Sequence, residues 1–235
     1  MSRKLAPWQT MASLLALVSV AAALVLALRW APTERTMGDV QRIFYFHVPS
    51  AWVAFLCFFL VFAGSVGTLV GGRRGWDILA LSAAEVGVLF CTIVLVTGPI
   101  WARPAWGIWW TWDARLTSTL MLWLTYVSYL LLRHYAADAR RRATLAAVVG
   151  ILGFLDVPIV YFSIRWWRTQ HPQPVIMGGK GSGLAPAMAL TFFVCLAAVT
   201  LLGAALLLQR VRLEYLRDEA YAADLATSDL EADQA

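Results

Sequence analysis

Charged side chains are scarce in this sequence: they make up 14% of its 235 residues, whereas 60% of the residues are apolar. Soluble domains contain about 25% charged residues, so most of this chain is not suited to solvation by water. The composition therefore excludes an ordinary soluble enzyme. It predicts one membrane domain with short connections between its apolar runs.

Cysteine is rare as well, and the three cysteines form no recognisable motif. Cys57, Cys91 and Cys195 each lie alone inside an apolar run, so the sequence contains neither a CxxC pair nor the spacing of a zinc site. We expect all three to be buried core residues, because a free cysteine behaves as a small hydrophobic side chain.

Negative charge is the scarcer sign, and the net charge is +5. The Lys and Arg residues stand at the ends of the apolar runs, where the orientation of helices in a bilayer requires them. This distribution predicts contact with a lipid bilayer and no nucleic-acid binding.

Six apolar runs are long enough to cross a bilayer. We predict an all-α integral membrane protein with six transmembrane helices, at residues 11–28, 51–70, 77–97, 116–132, 143–163 and 184–208. Residues 1–208 then form a single six-helix membrane domain. Residues 209–235 form a charged cytoplasmic tail, which we expect to be helical only near its start.

An even number of spans places both termini on one side of the membrane. Of the 19 Lys and Arg residues, 11 fall on that side, and its short loops hold the arginine clusters at 73–74 and 140–142. The positive-inside rule therefore predicts that both termini are cytoplasmic. The loop at residues 98–116, His47 and His171 are then all periplasmic.

Tryptophan is the most concentrated residue type, in the segment WGIWWTWDARLT at residues 106–117. Such a cluster covers a wide flat apolar ligand, or it forms the aromatic belt of a membrane interface. Four tryptophans within seven residues favour the ligand platform. At helical spacing Trp106, Trp109, Trp110 and Asp113 share a face, with Trp112 to one side, so we expect a short amphipathic helix lying flat on the bilayer.

Two of the three histidines, His47 and His171, lie in this same predicted periplasmic layer, next to aromatic residues and prolines. Neutral imidazole is the commonest metal ligand in proteins, and haem iron is often held by axial histidines. Two histidines above one aromatic platform fit a flat metal macrocycle held from both faces. The alternative is that each is a polar residue satisfied within its own loop.

Charged residues near the tryptophans have two interpretations each. The arginines of this layer bind carboxylates or extend to the membrane interface; they are Arg103, Arg115, Arg165 and Arg168. Asp113 is expected to cap the fourth helix, the alternative being that it orients an indole or a histidine.

Two acidic residues, Glu85 and Asp156, lie inside predicted spans. Intramembrane acids are functional candidates, although packing or a subunit contact is the preferred interpretation here. They define the alternative function, a membrane permease subunit that moves a small substrate through the helix bundle.

The tryptophan-rich segment resembles the WWD motif of the haem-handling membrane proteins of cytochrome c maturation. Together with RIFYFHVPSAW at residues 42–52, the six spans and the short length, it resembles the haem exporter protein C family of the bacterial pathway. The resemblance extends from about residue 42 through the sixth span. The chain departs from the family pattern after the second histidine, where Pro172 stands in place of glutamine.

This resemblance implies a haem-binding and transfer subunit of the bacterial inner membrane that is not an enzyme. It implies haem b as the transferred cargo, with His47 and His171 as the axial ligands of its iron. The implied platform consists of Trp106, Trp109, Trp110, Trp112, Asp113 and Arg115. The implied partners are an ATP-binding cassette ATPase with its membrane subunit, a small single-span subunit, and a periplasmic haem chaperone that receives the haem.

Overall fold

The computed structural model describes residues 7–135, 138–172 and 183–232. These ranges contain seven α-helices: α1 (Pro7–Val25), α2 (Phe44–Gly71), α3 (Arg74–Trp106), α4 (Ala114–Tyr135), α5 (Ala139–Phe154), α6 (Asp156–Trp166) and α7 (Pro186–Ala232). A π-helical turn (Leu26–Trp30) extends α1, and a 3-10 turn (Asp39–Ile43) leads into α2. The predicted all-α class is confirmed.

Five helical stretches are long and apolar enough to cross a membrane, which indicates a multi-pass membrane protein. They are Pro7–Trp30, Asp39–Gly71, Arg74–Trp106, Ala139–Trp166 and Pro186–Ser228. The predicted fourth span corresponds to α4, which has 22 residues. Serine, threonine and tyrosine interrupt its apolar residues and make it less hydrophobic than the other five stretches.

The predicted fifth span is a helix with a break rather than one continuous helix. α5 and α6 are separated by a single residue, Leu155. Pro158 has no N–H, so it cannot donate to the carbonyl of Phe154. At the end of α5 the Leu155 N–H bonds to the carbonyl of Leu152, three residues earlier instead of four, at 3.1 Å. This bond tightens the last turn of α5.

The prediction that the tail is helical only near its start is wrong, because α7 continues to Ala232. Its 47 residues correspond to about 70 Å, more than twice the thickness of the hydrocarbon layer. No glycine or proline follows Gly203. Arg210 pairs with Glu214 one turn later, at 2.9 Å, and supports the helix at the start of the tail.

The two intramembrane acids have different surroundings. Glu85 on α3 forms an ion pair with Arg210 on α7, so the packing interpretation accounts for it. Asp156 begins α6, and one of its carboxylate oxygens is buried without a hydrogen-bond partner among the described residues. The permease alternative therefore loses the support of Glu85.

The main core lies where α2 packs against α3 and α5, and α4 packs against the same two helices. The rings of Phe58 and Tyr126 stack there with their centroids 3.9 Å apart. Gly87 makes this packing possible, since a Cβ at this position would lie 2.7 Å from the Phe58 ring. A second cluster joins α1 and α7 to the start of α2. The three cysteines are free and buried, as predicted.

A buried ion pair connects α3 to α4. Asp77 and Arg133 form two hydrogen bonds, of 2.5 and 2.9 Å, and their side chains are 7% and 6% exposed. Arg74 also donates to Asp77 and then reaches Asp218 on α7 at 2.8 Å. These contacts fix the end of the helix bundle that lies far from His47 and His171.

We expect Asp77→Ala to destabilise the protein strongly, because it leaves the guanidinium of Arg133 buried without its counter-ion. Removing one partner of a buried pair costs about 3–5 kcal/mol. Asp218→Ala is the matched control; it breaks a half-exposed pair and should cost less than about 1 kcal/mol. Unfolding of both variants in detergent, followed by tryptophan fluorescence, measures the difference. Equal losses would contradict this assignment.

Candidate functional site

His47 lies in the first turn of α2 and faces α3. Its Nδ1 atom is 2.8 Å from the hydroxyl oxygen of Thr97. That hydroxyl also lies 2.7 Å from the Ile93 carbonyl, which can only accept, so we assign the hydroxyl as donor to Ile93 and as acceptor from His47. The proton of His47 is therefore on Nδ1, and the lone pair on Nε2 is available to a ligand.

His171 lies in the loop that follows α6. Its Nδ1 atom is 2.9 Å from the carbonyl oxygen of Pro172, which can only accept, so Nδ1 again carries the proton and Nε2 is available. Burial, with the positive charge of Arg115, lowers the pKa of His171 to about 4. The imidazole is therefore neutral at neutral pH, which is the form that binds a metal.

Asp113 connects the tryptophan-rich loop to the loop of His171. Its Oδ1 atom accepts the Leu116 N–H at 3.0 Å, which confirms the predicted cap of α4. Its Oδ2 atom accepts the Thr169 hydroxyl at 3.0 Å. The hydroxyl oxygen of Thr169 in turn accepts the backbone N–H of His171 at 3.0 Å. The structure thus places His171 beside the WWD segment through Thr169.

The predicted flat amphipathic helix is wrong. α3 does not end near residue 97 but continues through residues 98–106 and two prolines, so the first half of the predicted loop is helical. Gly107 ends it in the left-handed conformation, with φ of 80° and its N–H bonded to the Arg103 carbonyl. Because Trp106 is the last helical residue, it cannot share a helix face with Trp109, Trp110 or Asp113.

The tryptophans form two edge-to-face pairs instead of one row. Trp106 packs against Trp101 at 5.1 Å between ring centroids, and Trp110 packs against Trp112 at 5.6 Å. Trp109 and Trp112 are 58% and 74% exposed. Trp110 is half-buried, and its indole N–H has no hydrogen-bond acceptor among the described residues. These rings offer apolar area and one unused donor to a ligand.

Arg115 is the predicted arginine that the structure brings to the histidines. It lies in the first turn of α4, half-buried, and its charge acts on both His47 and His171. Within the described ranges its guanidinium has no hydrogen-bond acceptor. By contrast, Arg103 donates to the Gly107 carbonyl, and Arg165 lies over the Phe162 ring.

A cavity of about 450 Å³ lies between the two connected loops. It is lined by Thr111, Trp112, Asp113, Arg168, Thr169 and Gln170. Five of the six lining residues have polar side chains, but most of the surface that they expose to the cavity is apolar, so the cavity can contact both a polar edge and an apolar part of a ligand. Residues 173–182 of the connection to α7 lie outside the described residues.

Two functional residues escaped the sequence analysis, Thr97 and Thr169. Thr97 lies in a helix, where threonines commonly bond to their own backbone, and Thr169 lies in a loop after α6, where polar residues are expected, so nothing in the pattern singles these two out. Their partners lie 50 and 56 residues away in the chain. The resulting site has two neutral imidazoles with available Nε2 atoms, a guanidinium without an acceptor, and aromatic surface. Such a set can hold an iron macrocycle that carries carboxylates.

Comparison with known proteins identifies the relatives of the chain. The model of a family described as Heme exporter protein C matches residues 1–226. The Heme exporter protein C of Bradyrhizobium diazoefficiens is 38% identical over 80% of this chain and 71% of its own length. That of Escherichia coli K12 is 34% identical over 83% and 81%. A Marchantia polymorpha mitochondrial protein, named as ccmC-like and for cytochrome c biosynthesis, is 34% identical over 76% and 75%.

We expect Asp113→Ala and Thr169→Val to have separable effects on the two loops. Asp113→Ala removes the α4 cap, worth about 1 kcal/mol, so the Leu116 amide should exchange its hydrogen about fivefold faster. Thr169→Val should accelerate exchange at the His171 amide and leave Leu116 unchanged, because it keeps the cap. Hydrogen exchange read by mass spectrometry checks both. Unchanged exchange at His171 in Thr169→Val would contradict the connection.

Proposed function

This chain belongs to the heme exporter protein C family, and we propose that it binds haem and presents it to a haem chaperone during the biogenesis of c-type cytochromes. The observation that carries this proposal is the state of His47 and His171. Each donates its Nδ1 proton to an acceptor of the protein and leaves Nε2 available. The haem is cargo that the chain holds and gives up.

The two histidines are the proposed axial ligands of the haem iron. They come from separate parts of the chain, α2 and the loop after α6, and lie within electrostatic reach of each other. Neutral imidazoles bind the iron without adding positive charge to a site that already lies next to the guanidinium of Arg115. Delivery then requires one imidazole to be exchanged for a ligand from the acceptor.

Arg115 and the tryptophans are proposed to bind the rest of the haem b molecule. A half-buried guanidinium that lacks an acceptor is costly, and a propionate would supply two acceptor oxygens in the geometry that arginine prefers. Trp106, Trp109, Trp110 and Trp112 supply apolar contact to the porphyrin. Asp113 supports the site by holding the loop of His171 through Thr169.

The site is proposed to face the periplasm of a bacterial inner membrane, with both termini in the cytoplasm. The arginine clusters at 73–74 and 140–142 support this orientation, since they stand at the opposite end of the bundle from the histidines. Residues 209–235 would then lie on the cytoplasmic side of the six-helix domain at 1–208, with α7 continuing there to Ala232. The proposed partners there and in the membrane are an ATP-binding cassette ATPase, its membrane subunit and a small single-span subunit.

We expect His47→Ala and His171→Ala each to lose the six-coordinate, low-spin haem spectrum and most of the bound haem, because each removes one iron ligand. The measurement is optical and paramagnetic-resonance spectroscopy of the detergent-purified protein. His134→Ala is the control, because His134 lies at the opposite end of α4. Wild-type haem content and spectrum in both of the first two variants would refute the ligand assignment.

We expect Arg115→Ala to weaken haem binding by about 10-fold to 100-fold, the usual strength of a hydrogen bond to a charged group. Titration with haem and with haem dimethyl ester separates the causes. The ester has no carboxylates, so the wild type and the variant should bind it equally. Arg165→Ala is the control, since Arg165 is exposed, lies over the Phe162 ring and does not line the cavity. An equal loss in both variants, or a loss that persists with the ester, would exclude Arg115 as the propionate ligand.

A further inference from the structure

We propose that Thr97 is a positioning residue for haem binding: its hydroxyl holds the Nδ1 proton of His47 and thereby fixes the orientation in which Nε2 meets the iron. This inference rests on the proposed function and deepens it. Thr97 itself does not touch the cargo in this proposal.

We assign the hydroxyl of Thr97 as the acceptor toward His47. Its hydrogen is assigned to the carbonyl of Ile93, one turn earlier in α3, at 2.7 Å. The hydroxyl oxygen then accepts the imidazole Nδ1–H at 2.8 Å. Ligating histidines generally donate their second ring nitrogen to such an acceptor, and that contact sets both tautomer and ring orientation.

The ring also lies near α3 at the next position. A Cβ at Gly98 would make ordinary van der Waals contact with Cε1 of His47, at 3.6 Å. The hydrogen bond to Thr97 is the described contact that limits rotation of the ring. α2 and α3 share the most extensive helix contact in the described ranges, so the two residues are held by a rigid interface.

Among the described residues, no other helix gives the second histidine comparable support. The acceptor for its Nδ1 proton is the carbonyl of the next residue, Pro172. Thr169 contacts only the backbone N–H of His171 and not its ring. Position 97 is therefore the place in the described site where a side chain from another helix orients an iron-binding ring.

The test compares Thr97→Val, which keeps the shape but removes the acceptor, with Thr97→Ser, which keeps the hydroxyl. Thr97→Val should weaken haem binding by about 10-fold to 100-fold, as loss of such a supporting contact generally does. It should also convert part of the low-spin signal to high-spin. Thr97→Ser should restore both properties. Thr92→Val is the control, because Thr92 also lies on α3 and its hydroxyl also bonds to its own helix, but it accepts the indole N–H of Trp123 and no histidine.

A double-mutant cycle separates positioning of His47 from a general effect on packing. In a His47→Ala background, Thr97→Val should cause no further loss of haem, because the ring that it orients is gone. A further loss there would overturn the proposal, since Thr97 would then act through the α2–α3 interface. Thermal unfolding of the haem-free protein checks that interface directly: in the His47→Ala background, Thr97→Val should not change the unfolding temperature, because the imidazole that needs the acceptor is absent.

The outcomes distinguish this inference from the proposed function. If Thr97→Val keeps wild-type affinity and spectrum while His47→Ala loses haem, the positioning role is refuted and the ligand assignment stands. If His47→Ala itself leaves haem binding unchanged, the ligand assignment fails, and the role of Thr97 fails with it.

Discussion

A polar group inside a membrane protein must find its partner within the protein, because lipid supplies neither donors nor acceptors. This constraint explains many of the contacts between the helices. The carboxylate of Asp77 meets the guanidinium of Arg133, and the imidazole of His47 meets the hydroxyl of Thr97. Each pair joins two helices at a defined rotation. The orientation of the site therefore depends on polar pairs as much as on the apolar core between them.

At the site itself, several groups retain unused bonding capacity. The Nε2 atoms of both histidines, the Trp110 indole N–H and the Arg115 guanidinium have no partner among the described residues. In the same place Asp113 uses both of its oxygens, one for the start of α4 and one for the loop of His171. The protein thus satisfies the groups that shape the loops and leaves available those that suit an iron-bearing, carboxylate-bearing ligand.

Sequence patterns predicted much of this architecture, and their failures have physical causes. Apolar runs located the membrane helices, the isolated cysteines were buried, and the WWD segment led to the correct family. Helix ends were less predictable, because Pro99 and Pro104 do not stop a helix that neighbouring helices support, whereas Gly107 does. The roles of Thr97 and Thr169 depend on partners brought together only by folding. Ion pairs within α7 and from α7 to α3 likewise extended the tail beyond its expected helical start.

The length of α7 has a mechanical consequence for α3. The two helices are joined at two heights, by Arg74 with Asp218 and by Glu85 with Arg210. Sliding one helix along the other by a single turn, about 5.4 Å, would separate both pairs at once. Glu85 and Asp218 would lose their arginines, while Arg74 and Arg210 would keep only Asp77 and Glu214 on their own helices. The two ion pairs therefore oppose displacement of α7 along its axis relative to α3, so a force along the axis of one helix is transmitted to the other.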